Sequence, residues 1–317
     1  MPNPPDPRPG PRLPRRRFLA WTAGAVAGSL LVSCGDDPVA PTVVPLYSPD
    51  RVLAAGRPQR IPLALVAPDA GTAGPDRVAL PTDDGEITVI VRLDGTELDR
   101  VSVAGRVVEH DHVGEPEPGH QHTNLFRYYP LRTTLPAPGI YDLTVEVEGT
   151  RTGLPVQAFD PTEITVPLPG DPFPALSTPT FDDPDGVEPL CTRSEPCPFH
   201  TVSADRVLAA GRPLALLVAT PAYCSTAYCG PVLETLIDVT AARPDLDVVH
   251  VEVYANPDEV DGNYLDPAIR LAPAVQALGL SFEPSLFLVD GSGTITDRID
   301  NVFDRTELEQ VLATLVG

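Results

Sequence analysis

The apolar positions change period once along this chain, and the change divides it. Between residues 47 and 168 short apolar and polar positions alternate, and no long helical stretch appears. ITVIVRL (87–93) alternates and runs into Asp94-Gly95, a strong hairpin signal. VSVAGRVVEH (101–110), PLRTTL (130–135), PGIYDLTVEVEG (138–149) and TEITVPL (162–168) continue the pattern. Short strands at this spacing predict an antiparallel β-sandwich. From 203 to 317 the pattern lengthens. SADRVLAAG predicts a helix capped by Ser203, and LALLVAT (214–220) a fully buried strand. GPVLETLIDVTAARP is a helix with Pro231 in its first turn and Leu233, Leu236 and Ile237 on one face. LDVVHVEVY (246–254) is a second buried strand, and DPAIRLAPAVQALGL a helix broken near Pro273. PSLFLVD-GSG-TITDRIDNV (284–302) is a hairpin, and DRTELEQVLATLV a closing helix capped by Asp304. The order α-β-α-β-α-β-β-α predicts an α/β layer with helices on both faces.

Between the two halves, residues 169–202 hold eight prolines and six acids, which predicts a solvated linker without regular structure. One nine-residue string, DRVLAAGRP, occurs at both 50–58 and 205–213. Its flanks diverge at once. The first copy is expected to be extended and the second helical, because tertiary context overrides propensity.

Charge narrows the class of function. The net charge is −22, and all 22 basic residues are Arg. Residues 1–33 hold five Arg and one Asp, so the remainder carries −26. Nucleic acid is excluded as a partner, because a phosphate backbone needs a basic face. The first segment reads as an address. RRRFL (15–19) followed by a mild apolar run resembles a twin-arginine signal peptide, and Leu31-Val32-Ser33-Cys34 resembles a lipobox. The resemblance implies removal of residues 1–33, a diacylglycerol anchor on Cys34, a tether over 34–46, and a location on the outer face of the cell membrane. It leaves four cysteines, an even number in an oxidising compartment.

Two of these carry the functional signal. Tyr223-Cys224-Ser225-Thr226-Ala227-Tyr228-Cys229-Gly230-Pro231 lies between a buried strand and a helix start. There the unpaired N–H groups and the positive end of the helix dipole lower a thiol's pKa, and a second thiol nearby can resolve a mixed disulfide. Residues 203–317 resemble a thioredoxin-fold domain, and Pro284, just before SLFLVD, matches that family's cis-proline. The run 138–145 around Tyr141 resembles a late strand of an immunoglobulin-like domain. The implied architecture is multidomain. An immunoglobulin-like antiparallel β-sandwich (47–168) is followed by the linker (169–202) and an α/β thioredoxin-like domain (203–317).

The implied activity is thiol–disulfide exchange on exported proteins or with a membrane redox partner, without a cofactor. Cys229, followed by Gly-Pro, aligns as nucleophile, with Cys224 as its partner and Pro284 facing the substrate. The pair is Cys-x4-Cys where the family has Cys-x2-Cys, and Glu283 precedes Pro284, where a carboxylate disfavours a nearby thiolate. An inert disulfide at Cys224–Cys229 stays open beside the redox reading. So do a copper-delivery protein and a non-catalytic binding module on the same scaffold.

The other cysteines, Cys191 and Cys197, have the spacing of a structural loop closure. His200 reads as solvated or capping, and His250, inside a strand pattern, as a satisfied core histidine. His110, His112, His120 and His122 cluster in one loop with Glu115 and Glu117, weak candidates for a divalent metal among Gly and Pro. No Walker, dinucleotide, Ser-His-Asp or zinc-protease motif occurs.

The address makes one prediction. Mass spectrometry of the mature protein will find the N-terminus at residue 34 with a lipid-modified Cys34. An unmodified terminus elsewhere would refute it.

Overall fold

The computed structural model describes residues 41–47, 50–66, 85–110, 124–147, 149–226, 228–260 and 266–315. The leader with Cys34, and His112, His120 and His122, lie outside them. Eight strands precede the first helix: β1 (Thr42–Pro45), β2 (Pro58–Val66), β3 (Glu86–Leu93), β4 (Thr96–Ala104), β5 (Arg106–His110), β6 (Asn124–Thr134), β7 (Gly139–Val147) and β8 (Thr150–Ala158). They form two four-stranded antiparallel sheets, ordered β1-β2-β6-β5 and β4-β3-β7-β8. One core joins them. Ile61, Leu63 and Leu131 from the first sheet pack with Val89, Val91, Leu143 and Val145 from the second. Alternation along each strand delivers these residues to the inner faces.

Several expectations are corrected here. The run 101–110 is not one strand. It leaves one sheet and enters the other at Gly105, where a Cβ would come within 3.1 Å of Tyr129 Cε1 and 3.2 Å of the Gly85 carbonyl. TEITVPL is not a strand; a 3-10 turn at Pro161–Glu163 opens it, with Asp160 accepting from the Thr162 amide. The last strand is instead β8, whose Gly153 and Pro155 hide its pattern. An edge position tolerates them, because no further strand requires those amides. Part of the expected tether, Thr42–Pro45, pairs with β2 as a strand.

The second half follows the expected order: α1 (Ala204–Ala209), β9 (Leu214–Val218), α2 (Cys229–Thr240), β10 (Asp247–Val251), α3 (Pro273–Leu278), β11 (Ser285–Val289), β12 (Ile295–Asp300) and α4 (Arg305–Leu315). The sheet order is β10-β9-β11-β12, with β9 and β10 parallel and the other pairs antiparallel. Leu233 and Leu236 of α2 and Leu308 and Leu312 of α4 share a core with Leu217, Leu286 and Leu288 of the sheet. Asp304 caps α4 as expected, accepting from the Glu307 amide at 2.7 Å. Ser203 does not cap α1; Thr178 Oγ1 accepts from the Ala204 amide instead. The two copies of DRVLAAGRP differ as expected in kind. The second makes α1, while the first is irregular, touching the chain through an Ala54–Phe159 bridge.

The Pro-rich linker has no strand or helix, yet it is not a solvated spacer. Phe173 meets Phe287 of β11 edge-on, with ring centroids 5.6 Å apart, and Thr178 and Val187 are buried. Its apolar side chains cover sheet surface that helices leave open.

Residues 36–317 form one compact unit, and a buried polar knot joins its two halves. Arg60 of β2 makes a two-pronged bond to Glu307 of α4, at 2.6 Å and 2.9 Å. It also donates to the carbonyls of Asp300 and Val302. Tyr128 of β6 donates to Glu307 at 2.7 Å and accepts from the Asp304 amide at 2.8 Å. Burial alone would raise the Glu307 pKa; the facing Arg60 guanidinium more than reverses this and lowers it. Its contribution to stability is therefore complete above the ordinary carboxylate range and is lost as pH falls through the lower, native value. Glu307→Ala strands the Arg60 charge in the interior and is expected to cost about 3–5 kcal/mol in urea unfolding at neutral pH. A loss below about 1 kcal/mol would show that the knot does not hold the halves together.

Candidate active site: a disulfide at the start of a helix

Strand β9 ends at Val218, and eleven residues later α2 begins at Cys229. The loop between them carries Cys224, and its sulfur is bonded to that of Cys229 with the Cα atoms 5.9 Å apart. Neither sulfur then offers a free thiolate to a metal.

The two sulfurs occupy different surroundings. Cys229 is buried among Val232, Leu233 and their neighbours, because the first turn of α2 packs its apolar face onto the sheet. Cys224 is partly exposed on the loop. The Cys229 amide donates to Cys224 Sγ at 3.3 Å, and Thr226 Oγ1 lies 3.3 Å from the same sulfur. The helix-start amide thus serves Cys224. This burial and hydrogen bonding are the reverse of what the Cys-Gly-Pro alignment leads one to expect. Accessibility and the stabilising N–H both fall on Cys224, while Cys229 sits behind it as the buried partner.

Pro284 follows a cis peptide bond, as expected, and stands at the head of β11. Its carbonyl accepts from the Asn301 amide at 2.8 Å. Glu283, buried, aims its carboxylate at the disulfide loop. Its Oε1 accepts from the Ser225 amide at 3.0 Å and from Ser225 Oγ at 2.6 Å. A Glu283 oxygen and both sulfurs lie within 4.8 Å of one another. Burial raises the Glu283 pKa, and the two Ser225 bonds only partly offset it. Ser225, which no sequence motif marks, fixes this carboxylate.

A second cluster lies in the same core. Cys191 and Cys197 are separate buried thiols rather than the expected disulfide, and both pack beside Cys229. His200 and His250 meet them. Neither histidine is exposed, so the solvated reading of His200 is corrected. Cys197 Sγ lies 3.3 Å from His200 Nε2 and 3.4 Å from His250 Nδ1, and those nitrogens are 3.3 Å apart. Hydrogen bonding to Cys197 pulls the Cys191 thiol far below its usual range, against burial and with help from both imidazoles, while Cys197 is pushed far above. Thr192 ties this cluster to the disulfide loop, since its Oγ1 accepts from the Ala222 amide at 3.1 Å and donates to Glu252. Burial pushes Glu252 up to about 7. Cys197-x2-His200 was the sequence signal available for this cluster. Of the expected His loop, His110 ends β5 opposite Asn124.

No protein-family model matches the chain, and no curated protein matches it. Among solved structures, a thiol:disulfide interchange protein of the thioredoxin family from Chlorobium tepidum TLS is similar over 48% of this chain and 99% of that chain, at 15% identity and a TM-score of 0.32. A score that low fixes neither fold nor chemistry.

The site geometry makes a paired prediction. After reduction, Cys224 should be alkylated by iodoacetamide faster than Cys229, read by peptide mass spectrometry at partial modification. Glu283→Gln should speed Cys224 alkylation at neutral pH, because the ionised carboxylate repels a thiolate. The gain should vanish as the pH drops below the raised Glu283 pKa, where the native carboxyl is already neutral. Faster labelling of Cys229 would reverse the roles.

Proposed function

We propose that this protein is a thiol–disulfide oxidoreductase, held by a lipid on Cys34 outside the cytoplasmic membrane and acting on exported proteins. The observation that carries the reading is the asymmetric Cys224–Cys229 disulfide, with one reachable sulfur bonded by a helix-start amide and one buried beneath it. The cis bond at Glu283-Pro284 supports it. RRRFL and LVSC support the export and the anchor. We also read the sandwich as immunoglobulin-like. Lettered in chain order, its sheets are A-B-E-D and C′-C-F-G, and the Tyr141 hydroxyl bonds the Ala137 backbone four residues upstream, as a tyrosine corner does.

The exchange would run in two steps. A substrate thiolate attacks Cys224 Sγ, the Cys224–Cys229 bond breaks, and Cys229 leaves with the electron pair. The substrate's second thiolate then attacks its own sulfur in the mixed disulfide and releases Cys224. Two electrons and two protons pass from the substrate dithiol to the protein, and the substrate leaves as a disulfide. The same steps reversed reduce a substrate disulfide. Glu283 tunes the fraction of Cys224 that is thiolate.

Cys229→Ser should accumulate a mixed disulfide through Cys224 with a disulfide-bonded peptide, seen on non-reducing gels. Cys224→Ser should trap none. Native protein that neither oxidises nor reduces a model peptide would replace this reading with that of a binding scaffold.

A further inference from the structure

We propose that Cys191, Cys197, His200 and His250 form a buried tetrahedral site for a divalent cation of the zinc class. Each offers one ligand atom, all four atoms lie within 4.8 Å of one another, and all four residues are buried. They come from two separate stretches of chain, the end of the Pro-rich segment and the middle of β10.

The spacing fits a tetrahedral cation. A tetrahedral zinc with bonds of about 2.3 Å to sulfur and about 2.0–2.1 Å to nitrogen requires N···N edges of about 3.3–3.4 Å and S···N edges of about 3.5–3.6 Å. The observed N···N distance is 3.3 Å, and the two S···N distances are 3.3 and 3.4 Å. Three edges of one face are therefore in place. Cys191 supplies the fourth corner, its sulfur within 4.8 Å of the other three ligand atoms.

The surroundings orient the ligands. His250 Nε2 lies 3.1 Å from the Ala219 carbonyl, so it carries the proton, and the Nδ1 lone pair faces the cluster. The Cys197 amide donates to Cys191 Sγ at 3.5 Å, the kind of N–H···S contact that favours a thiolate. A Cys2His2 set of this geometry suits zinc over magnesium and calcium, which take oxygen donors. The site is distinct from the disulfide and does not depend on the exchange reading. Occupancy would hold Thr192 beside the cluster, and with it the Ala222 end of the disulfide loop.

The test uses the full chain carrying Cys224→Ser and Cys229→Ser, purified reduced, so that Cys191 and Cys197 are the only paired thiols. Titrated with Co(II), it should develop thiolate charge-transfer and tetrahedral ligand-field bands that saturate at one equivalent and are bleached by Zn(II). Adding Cys197→Ser should abolish the charge-transfer intensity of the pair. His250→Ala should weaken zinc binding by more than the about ten- to hundredfold that loss of an outer partner costs. Far-UV circular dichroism of each variant separates lost binding from lost fold, and the Cys224/Cys229 variant alone suffices to refute. Octahedral bands or no saturation at one equivalent would overturn the proposal. So would recovery of a Cys191–Cys197 disulfide from protein prepared with zinc present.

Discussion

A charge cannot be buried alone, and the architecture is arranged around that constraint at Arg60. Its guanidinium sits inside a sandwich strand with almost no contact with water, and its counter-charge, Glu307, belongs to the last helix of the chain. Each of its nitrogens finds an acceptor in the other half, and the Tyr128 ring lies 5.5 Å below it. An apolar pair would bury as well, but it would accept many orientations; a two-pronged bond with two carbonyls accepts one. Around it, Arg298 reaches the Val52 carbonyl and Arg132 reaches Asp297, so the joint is polar where most cores are not. With 22 Arg and no Lys in the chain, planar donors of this kind are the only long cations available.

The α/β half was largely legible in the sequence because its strands are buried on both faces and read as unbroken apolar runs. LALLV and SLFLV became β9 and β11 almost to the residue. The sandwich was legible in kind but not in count. β8 carries Gly153 and Pro155, which a central strand forbids and an edge permits, and nothing local distinguishes the two cases. Gly105 splits one alternating run between two sheets, a choice made by the Tyr129 ring and the Gly85 backbone. The repeated DRVLAAGRP makes the same point most plainly, since identical residues fold two ways.

The candidate site was legible where its parts are neighbours in sequence. Cys224, Cys229 and Pro284 were each found, because a strand end, a helix start and a Pro at a strand head are local signals. The difference in burial between the two sulfurs was not. The Gly-Pro after Cys229 indicates a helix start, but which sulfur is covered depends on the face that α2 presses onto the sheet. His200 and His250 were passed over for a similar reason. They stand 50 residues apart, and the backbone bond from the His250 amide to the Phe199 carbonyl brings β10 to the Pro-rich segment.

The end of β12 is gripped from two sides. Arg60 holds the carbonyls of Asp300 and Val302, and between them the Asn301 amide reaches the Pro284 carbonyl. The boundary drawn by the Pro-rich segment is thus a boundary in sequence but not in energy. Excised at residue 202, the α/β half would open Glu307 to solvent without its cation, and would release the backbone that steadies the proline loop. The α/β half cannot be treated as a module with a removable companion. The sandwich is part of the mould in which the proline loop is cast, and a graft of the α/β half onto another carrier would need a new cation at the position of Arg60.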